Sequence, residues 1–142
     1  IHAQVLVMAA RGFIPSGCET AVDYGRLSSF CQSGLGQRMK NAVQLWRELP
    51  FSRLLPVSGI DPAVQGEESI FIQGVIDVLF EEADGKLVLL DYKTDRDTRP
   101  ARVRERYAKQ VELYREAVAG ILGRPVKESI LYLLHDGTAV TL

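Results

Sequence analysis

An α/β fold, with a mixed β-sheet flanked by helices behind a helical amino-terminal segment, follows from three features of the 142-residue sequence. Two long stretches, "SIFIQGVIDVLFE" and "KLVLLDYKT", carry apolar residues on both parities, the pattern of strands covered on both faces. Between them, "EADGK" reads as a turn. Further on, Tyr107, Val111, Tyr114, Val118 and Ile121 step by four and three, which marks one face of a helix. The resulting order is helices, strand, hairpin, helix, strand.

The first third supplies the helical segment. "IHAQVLVMAARGFI" has helical apolar spacing and breaks at "PSGCE". "AVDYGRLSSFCQS" and "LGQRMKNAVQLWREL" read as two more short amphipathic helices, with Trp46 either anchoring the third in the core or stacking on a base. Pro50 marks a boundary, so residues 1–50 form the helical segment and 51–142 the core. "FSRLLPV" then reads as a first or edge strand closed by Pro56. After the hairpin, Pro100 suits the first turn of the long helix, Gly123 its end and Pro125 the stop beyond. "VKESILYLLHDGTAVTL" closes the chain as a strand, an Asp136-Gly137 turn and a short return strand.

Composition narrows the function classes. The chain is 46% hydrophobic and 25% charged with a net charge of −1, so no global field draws it to nucleic acid or to a membrane. No apolar run reaches the ~18 residues that a spanning helix needs, and the amino end lacks the parts of a signal peptide. Cys18 and Cys31 are too few for a disulfide framework or a structural zinc or iron–sulfur site and are expected to be buried or idle thiols. A start at Ile1, without methionine or cap, is expected of a piece cut from a longer protein.

The informative stretch is "LLDYKTD". Alternation puts Leu87, Leu89, Asp91 and Lys93 on one strand face, with Asp91 and Lys93 roughly 6–7 Å apart. A three-residue loop, Ala83-Asp84-Gly85, with Gly85 left-handed, pairs Glu82 with Lys86 and brings Asp77 opposite Asp91. A two-residue Asp-Gly loop throws Asp77 onto the other face. Both are open to the sequence; the three-residue loop is the expectation. Two carboxylates with β-carbons roughly 5 Å apart repel unless one is protonated or a cation lies between them. Hard oxygen ligands with open coordination suit Mg²⁺, or Mn²⁺ in its place. Lys93 adds a donor for a phosphate oxygen, and Gly74 leaves room for a close approach to the strand. Together these residues make a kit for phosphodiester hydrolysis. The bland alternative is a solvated Asp–Lys pair. From Lys93 to Lys109, seven basic residues stand against three acids, either a solvated face or a track for a phosphate backbone.

The run "GVIDVLFE…KLVLLDYKTD…YAKQVELYREAV" resembles the nuclease domains of the RecB family, in the PD-(D/E)xK superfamily, and most nearly the nuclease end of AddA-type helicase–nucleases. "LGQRMKNAVQLWRELPF" is similar to the segment before their first core strand. The likeness implies a restriction-endonuclease-like core and a Mg²⁺-dependent nuclease, an exonuclease on single-stranded DNA, serving double-strand-break repair and recombination. It also implies an AddB-type partner subunit, DNA as substrate, no membrane and a bacterial cytoplasmic setting. Asp77 and Asp91 become metal ligands with the backbone carbonyl of Tyr92, and Lys93 the catalytic lysine. Gln110 and Tyr114 match the "QxxxY" helix motif, although Tyr114 also fits the apolar stripe. Arg96, Arg99, Arg102 and Arg106 become DNA contacts. Ile76 stands where the superfamily's proline would be. These families carry an upstream metal-binding histidine. His2 lacks the "GTxxH" setting and His135 sits at a turn, so that histidine is expected before Ile1. No "GxxxxGK[ST]" loop is present, so any ATP chemistry lies outside the chain. The rival readings are a non-catalytic nuclease-like module that binds DNA or a partner, and a stand-alone or Cas4-like nuclease, the latter disfavoured by its missing cysteines.

Overall fold

The computed structural model describes residues 1–15, 17–56 and 69–142. Ser16 of the expected break and Val57 of the expected first strand lie outside the described residues. The chain divides into two compact units, Ile1–Asn41 and Ala42–Leu142.

The first unit is helical, as expected. It contains α1 (His2–Ala10), a single 3₁₀ turn at Cys18–Ala21, α2 (Tyr24–Gln32) and α3 (Gly34–Lys40). Asp23 caps α2 by accepting from the Arg26 N–H at 2.9 Å. Ser33 ends α2 and starts α3: its hydroxyl donates to the Phe30 carbonyl and accepts from the Gly36 N–H, so one residue satisfies groups at two helix ends. Cys18 and Cys31 are exposed thiols, not buried ones.

The second unit is a five-stranded mixed sheet with one long helix. The strands are β1 (Gln44–Pro56), β2 (Ser69–Glu81), β3 (Leu87–Lys93), β4 (Val126–Leu133) and β5 (Thr138–Thr141), in spatial order β1-β2-β3-β4-β5. All neighbours are antiparallel except β3 and β4, which run parallel and are joined by α4 (Pro100–Leu122). Pro100 occupies the first turn and Gly123, at φ 65°, ends the helix. Inner residues of α4 pack on the sheet in two clusters. Ala117 and Val118 meet Phe51, Ile76, Leu79, Leu87 and Leu89, while Val103 and Val111 meet Leu131, Leu133 and Val140.

Two expectations are corrected here. The third helix stops at Lys40, and the stretch "QLWREL" is strand. Trp46 and Leu49 are three apart, a helical spacing, yet both pack on the same core cluster from β1. The strand achieves this at Glu48, whose φ of 50° interrupts the alternation; Arg47 pairs with Val78 and Leu49 with Ile76, and the ladder skips Glu48 and Asp77. Ile76 and Leu79 show the same three-residue spacing on β2. Trp46 is thus a core residue of a strand. The second correction concerns Ile121, which is 52% exposed, while Leu122 packs inward. A step of four and three averages 3.5 residues and drifts off a 3.6-residue helix; by the last turn the inner face has moved on.

Candidate functional site

The turn between β2 and β3 decides where the acids fall. The Glu82 N–H donates to the Lys86 carbonyl and the Gly85 N–H to the Glu82 carbonyl, both at 2.9 Å, and Gly85 has φ 80°. This is the three-residue loop, with a glycine where an L side chain would be strained. The ladder continues through Glu81–Leu87, Leu79–Leu89 and Val78–Leu90, which brings Asp77 level with Asp91. There the backbone pairing stops, and Asp77 Oδ2 accepts from the Tyr92 N–H at 2.8 Å. A carboxylate has taken the place of a backbone acceptor.

Asp91 lies at the carboxyl end of β3, just before the crossover to α4, and is 3% exposed. Burial pushes its carboxyl above the usual range; the bond and charge of Lys93 oppose this, and the charge of Asp77 adds to it. Lys93 Nζ stands 2.6 Å from Asp91 Oδ2, but off the line of a good hydrogen bond. The same ammonium donates to Gln110 Oε1 at 2.9 Å, and Gln110 Nε2 donates to the Tyr114 hydroxyl at 2.9 Å. Tyr114 meets Phe51 edge-on, ring centres 5.5 Å apart. Five residues singled out in the sequence, Asp77, Asp91, Lys93, Gln110 and Tyr114, therefore meet at one place. Gln110 and Tyr114 reach it because positions four apart share a helix face, and Tyr114 combines this polar link with packing on the core.

Gly74 makes room for a neighbouring side chain of the same chain. A β-carbon there would lie 2.6 Å from the Phe51 ring and 3.5 Å from Tyr114. The group that approaches the strand is Phe51 itself, seated under Tyr114.

Two residues at the site, Tyr107 and Asp95, were not singled out for it, and a third lies level with it along the sheet. Glu48, exposed, holds the β1 position level with Asp77, in a left-handed conformation uncommon outside glycine. It was hidden because its stretch read as helix. Tyr107 places its ring 4.5 Å from Lys93 Nζ, and its hydroxyl donates to Asp95. Tyr107, Gln110 and Tyr114 share one helix face by spacing, so this much was legible as position, though not as a contact.

The four arginines differ. Arg96 is exposed. Arg99 forks onto Asp97, Arg102 bonds Glu105 at 3.2 Å, and Arg106 pairs with Asp95. The basic run is partly neutralised by the acids within it. His2 lies against the Tyr24 ring, centres 5.0 Å apart, and His135 is exposed.

The donor set suits a hard divalent cation. Asp91 presents a buried oxygen without a well-aligned hydrogen bond, next to a second carboxylate. Among the described residues no three or more His, Cys, Asp or Glu side chains are grouped so as to hold a metal ion, so the two aspartates stand as a pair. Mg²⁺ is commonly held by one or two carboxylates and completed by water and phosphate oxygens.

Comparison with known proteins agrees with this geometry. Residues 9–140 match the PD-(D/E)XK nuclease superfamily. Similar proteins include the A component of the ATP-dependent helicase/nuclease of Desulforudis audaxviator (41% identical over 98% of this chain and 12% of the relative). The same components from Clostridium botulinum (39%, over 94% and 11%) and Heliobacterium modesticaldum (43%, over 86% and 9%) are comparable. The chain spans about a tenth of the length of the curated relatives it matches. Among the described residues no helix is long and apolar enough to cross a membrane. With its mixed sheet, its paired aspartates and lysine at the end of β3, and this match across nearly its whole length, the chain belongs to the PD-(D/E)XK nuclease superfamily.

Proposed function

We propose that this chain is the nuclease domain of an ATP-dependent helicase–nuclease, and that it hydrolyses phosphodiester bonds of single-stranded DNA with Mg²⁺ during double-strand-break repair and recombination. The helical unit Ile1–Asn41 forms the opening of that domain and Ala42–Leu142 its core, acting in a bacterial cytoplasm beside an AddB-type partner. The observation that carries the reading is the continuous link from Asp91 through Lys93 and Gln110 to Tyr114, with Asp77 alongside.

Asp77 and Asp91, with the Tyr92 backbone carbonyl, would hold the cation. Once bound, that ion polarises the phosphate and lowers the pKa of a coordinated water. Asp77 has one oxygen fixed by Tyr92 N–H and offers the other. Asp91, whose carboxyl burial pushes above the usual range, would supply the second carboxylate to that ion. Lys93 stabilises negative charge developing on the phosphate, and Gln110 holds it in reach. Arg96, Arg99 and Arg102 line the backbone track beyond β3, with Arg106 held by Asp95 at its edge.

Calorimetric titration with Mn²⁺, on this chain and on Asp91→Asn, tests the reading. Saturable binding lost in the variant supports it, as does Mn²⁺-dependent cleavage of single-stranded DNA that disappears in Lys93→Gln. Salt-sensitive DNA binding with no metal binding would replace it with a non-catalytic DNA-binding module.

A further inference from the structure

Resting on that reading, we propose that Tyr107 and Asp95 are positioning residues for Lys93: Asp95 fixes the Tyr107 ring, and the ring face holds the lysine ammonium at the site. Three groups surround Lys93 Nζ. Asp91 Oδ2 is at 2.6 Å, Gln110 Oε1 at 2.9 Å and the Tyr107 ring centre at 4.5 Å. The first is the strongest, and it is also an oxygen that a divalent cation would claim. When the cation is present, Lys93 loses much of its hold on Asp91 just when its position matters. A ring face suits the gap. It attracts an ammonium, yet has no lone pair with which to ligate a hard cation or draw it off the aspartates.

The ring is itself held. The Tyr107 hydroxyl donates to one oxygen of Asp95 and Arg106 pairs with the other. The Asp95 side chain is 15% exposed, and its carboxyl is held below the usual range, first by Tyr107 and then by Arg106. A phenol donating to a carboxylate gains electron density in its ring, which strengthens the attraction for a cation. Asp95 lies two residues beyond Lys93 and Tyr107 in the second turn of α4, so the pair also ties the end of β3 to the start of the helix. Arg106 is thereby committed to this device more than to a phosphate.

The experiment compares this chain with Tyr107→Leu, Tyr107→Phe, Asp95→Asn and Lys93→Gln. One readout is Mn²⁺-dependent cleavage of a single-stranded oligonucleotide, resolved into kcat and KM. The other, independent of activity, is the NMR shift of the Lys93 ε-methylene protons, assigned by their absence in Lys93→Gln. A ring below the ammonium moves these protons upfield. The expected result is a kcat about tenfold lower in Tyr107→Leu, the size of a desolvated cation–π contact, with KM and Mn²⁺ affinity within about twofold. Tyr107→Phe keeps the ring and stays within about threefold of the parent, and Asp95→Asn falls between. The upfield shift persists in Tyr107→Phe and vanishes in Tyr107→Leu. An ordinary lysine shift in the parent, a shift unchanged in Tyr107→Leu, or equal damage from Phe and Leu overturns the proposal. Absence of cleavage by the parent would count against the nuclease reading, and the NMR shifts would still decide the role of Tyr107.

Discussion

Asp77 and Tyr92 are joined across two strands by a 2.8 Å hydrogen bond from the Tyr92 backbone N–H to Asp77 Oδ2, at the point where the β2–β3 ladder ends. The bond uses one carboxylate oxygen and leaves charge for a cation. Asp77→Asn can still accept from Tyr92 but carries no charge. It should bind Mn²⁺ at least tenfold more weakly than the parent (about 1.4 kcal/mol) while melting close to it. Asp77→Ala loses the acceptor as well and should cost about 1–2 kcal/mol of stability. Calorimetry and denaturant titration separate the two effects.

Asp91 should trade stability for function. Its carboxyl is raised above the ordinary value, chiefly by burial. Below the unfolded-state pKa of about 3.9 both states are protonated and nothing is lost. As pH rises through the raised folded value, the folded state must ionise a buried acid that the unfolded chain ionises freely, so stability falls. Asp91→Asn escapes this cost. In the presence of a chelator the parent should lose stability relative to the variant as pH rises from about 4 to about 7. A stability difference that does not change with pH over that range would contradict the assignment.

Gly74 and Phe51 should behave as a coupled pair. Gly74→Ala places a methyl 2.6 Å from the Phe51 ring and should destabilise by about 1–3 kcal/mol. Because Phe51 supports Tyr114, and Tyr114 supports Gln110, cleavage should fall as well. Phe51→Leu in the same chain should recover part of both losses, a coupling that a double-mutant cycle measures.

The arginines should not contribute equally to DNA binding. Arg96 is exposed and has no ion-pair partner among the described residues, whereas Arg99 must first leave Asp97. Arg96→Ala should lower the slope of log affinity against log salt by about 0.7, the value for one phosphate contact on a single strand. Arg99→Ala should lower it by less. Equal slopes would show that the Asp97 pair opens freely.

The site was more legible than the segment that precedes it. Asp91 and Lys93 share a face by alternation alone, whereas Asp77 depended on a turn whose length the sequence left open between two and three residues. Gln110 and Tyr114 came from the resemblance to the "QxxxY" motif; helical spacing alone said only that they share a face. β1 was missed because Trp46 and Leu49 imitate a helix; the residue that makes the imitation work, Glu48 at φ 50°, has no signature of its own in the sequence. The Tyr107–Lys93 contact depends on where a crossover helix lands on a sheet, which is a tertiary fact. The pairing of Arg99 and Arg106 with nearby acids is likewise invisible to a count of charges.

The β2–β3 turn has a consequence for how this chain tolerates insertion and deletion. Gly85 takes the left-handed position, Asp84 accepts from the Lys86 N–H, and Arg124 braces the turn by bonding both Glu81 and the Gly85 carbonyl. Its length has a lower limit. Shortening this tip to a two-residue loop keeps every proposed site residue in the sequence and yet turns Asp77 away from Asp91. A survey of single-codon deletions should find it sensitive, whereas insertions at the exposed tip, which lengthen the loop without moving either strand, should be borne.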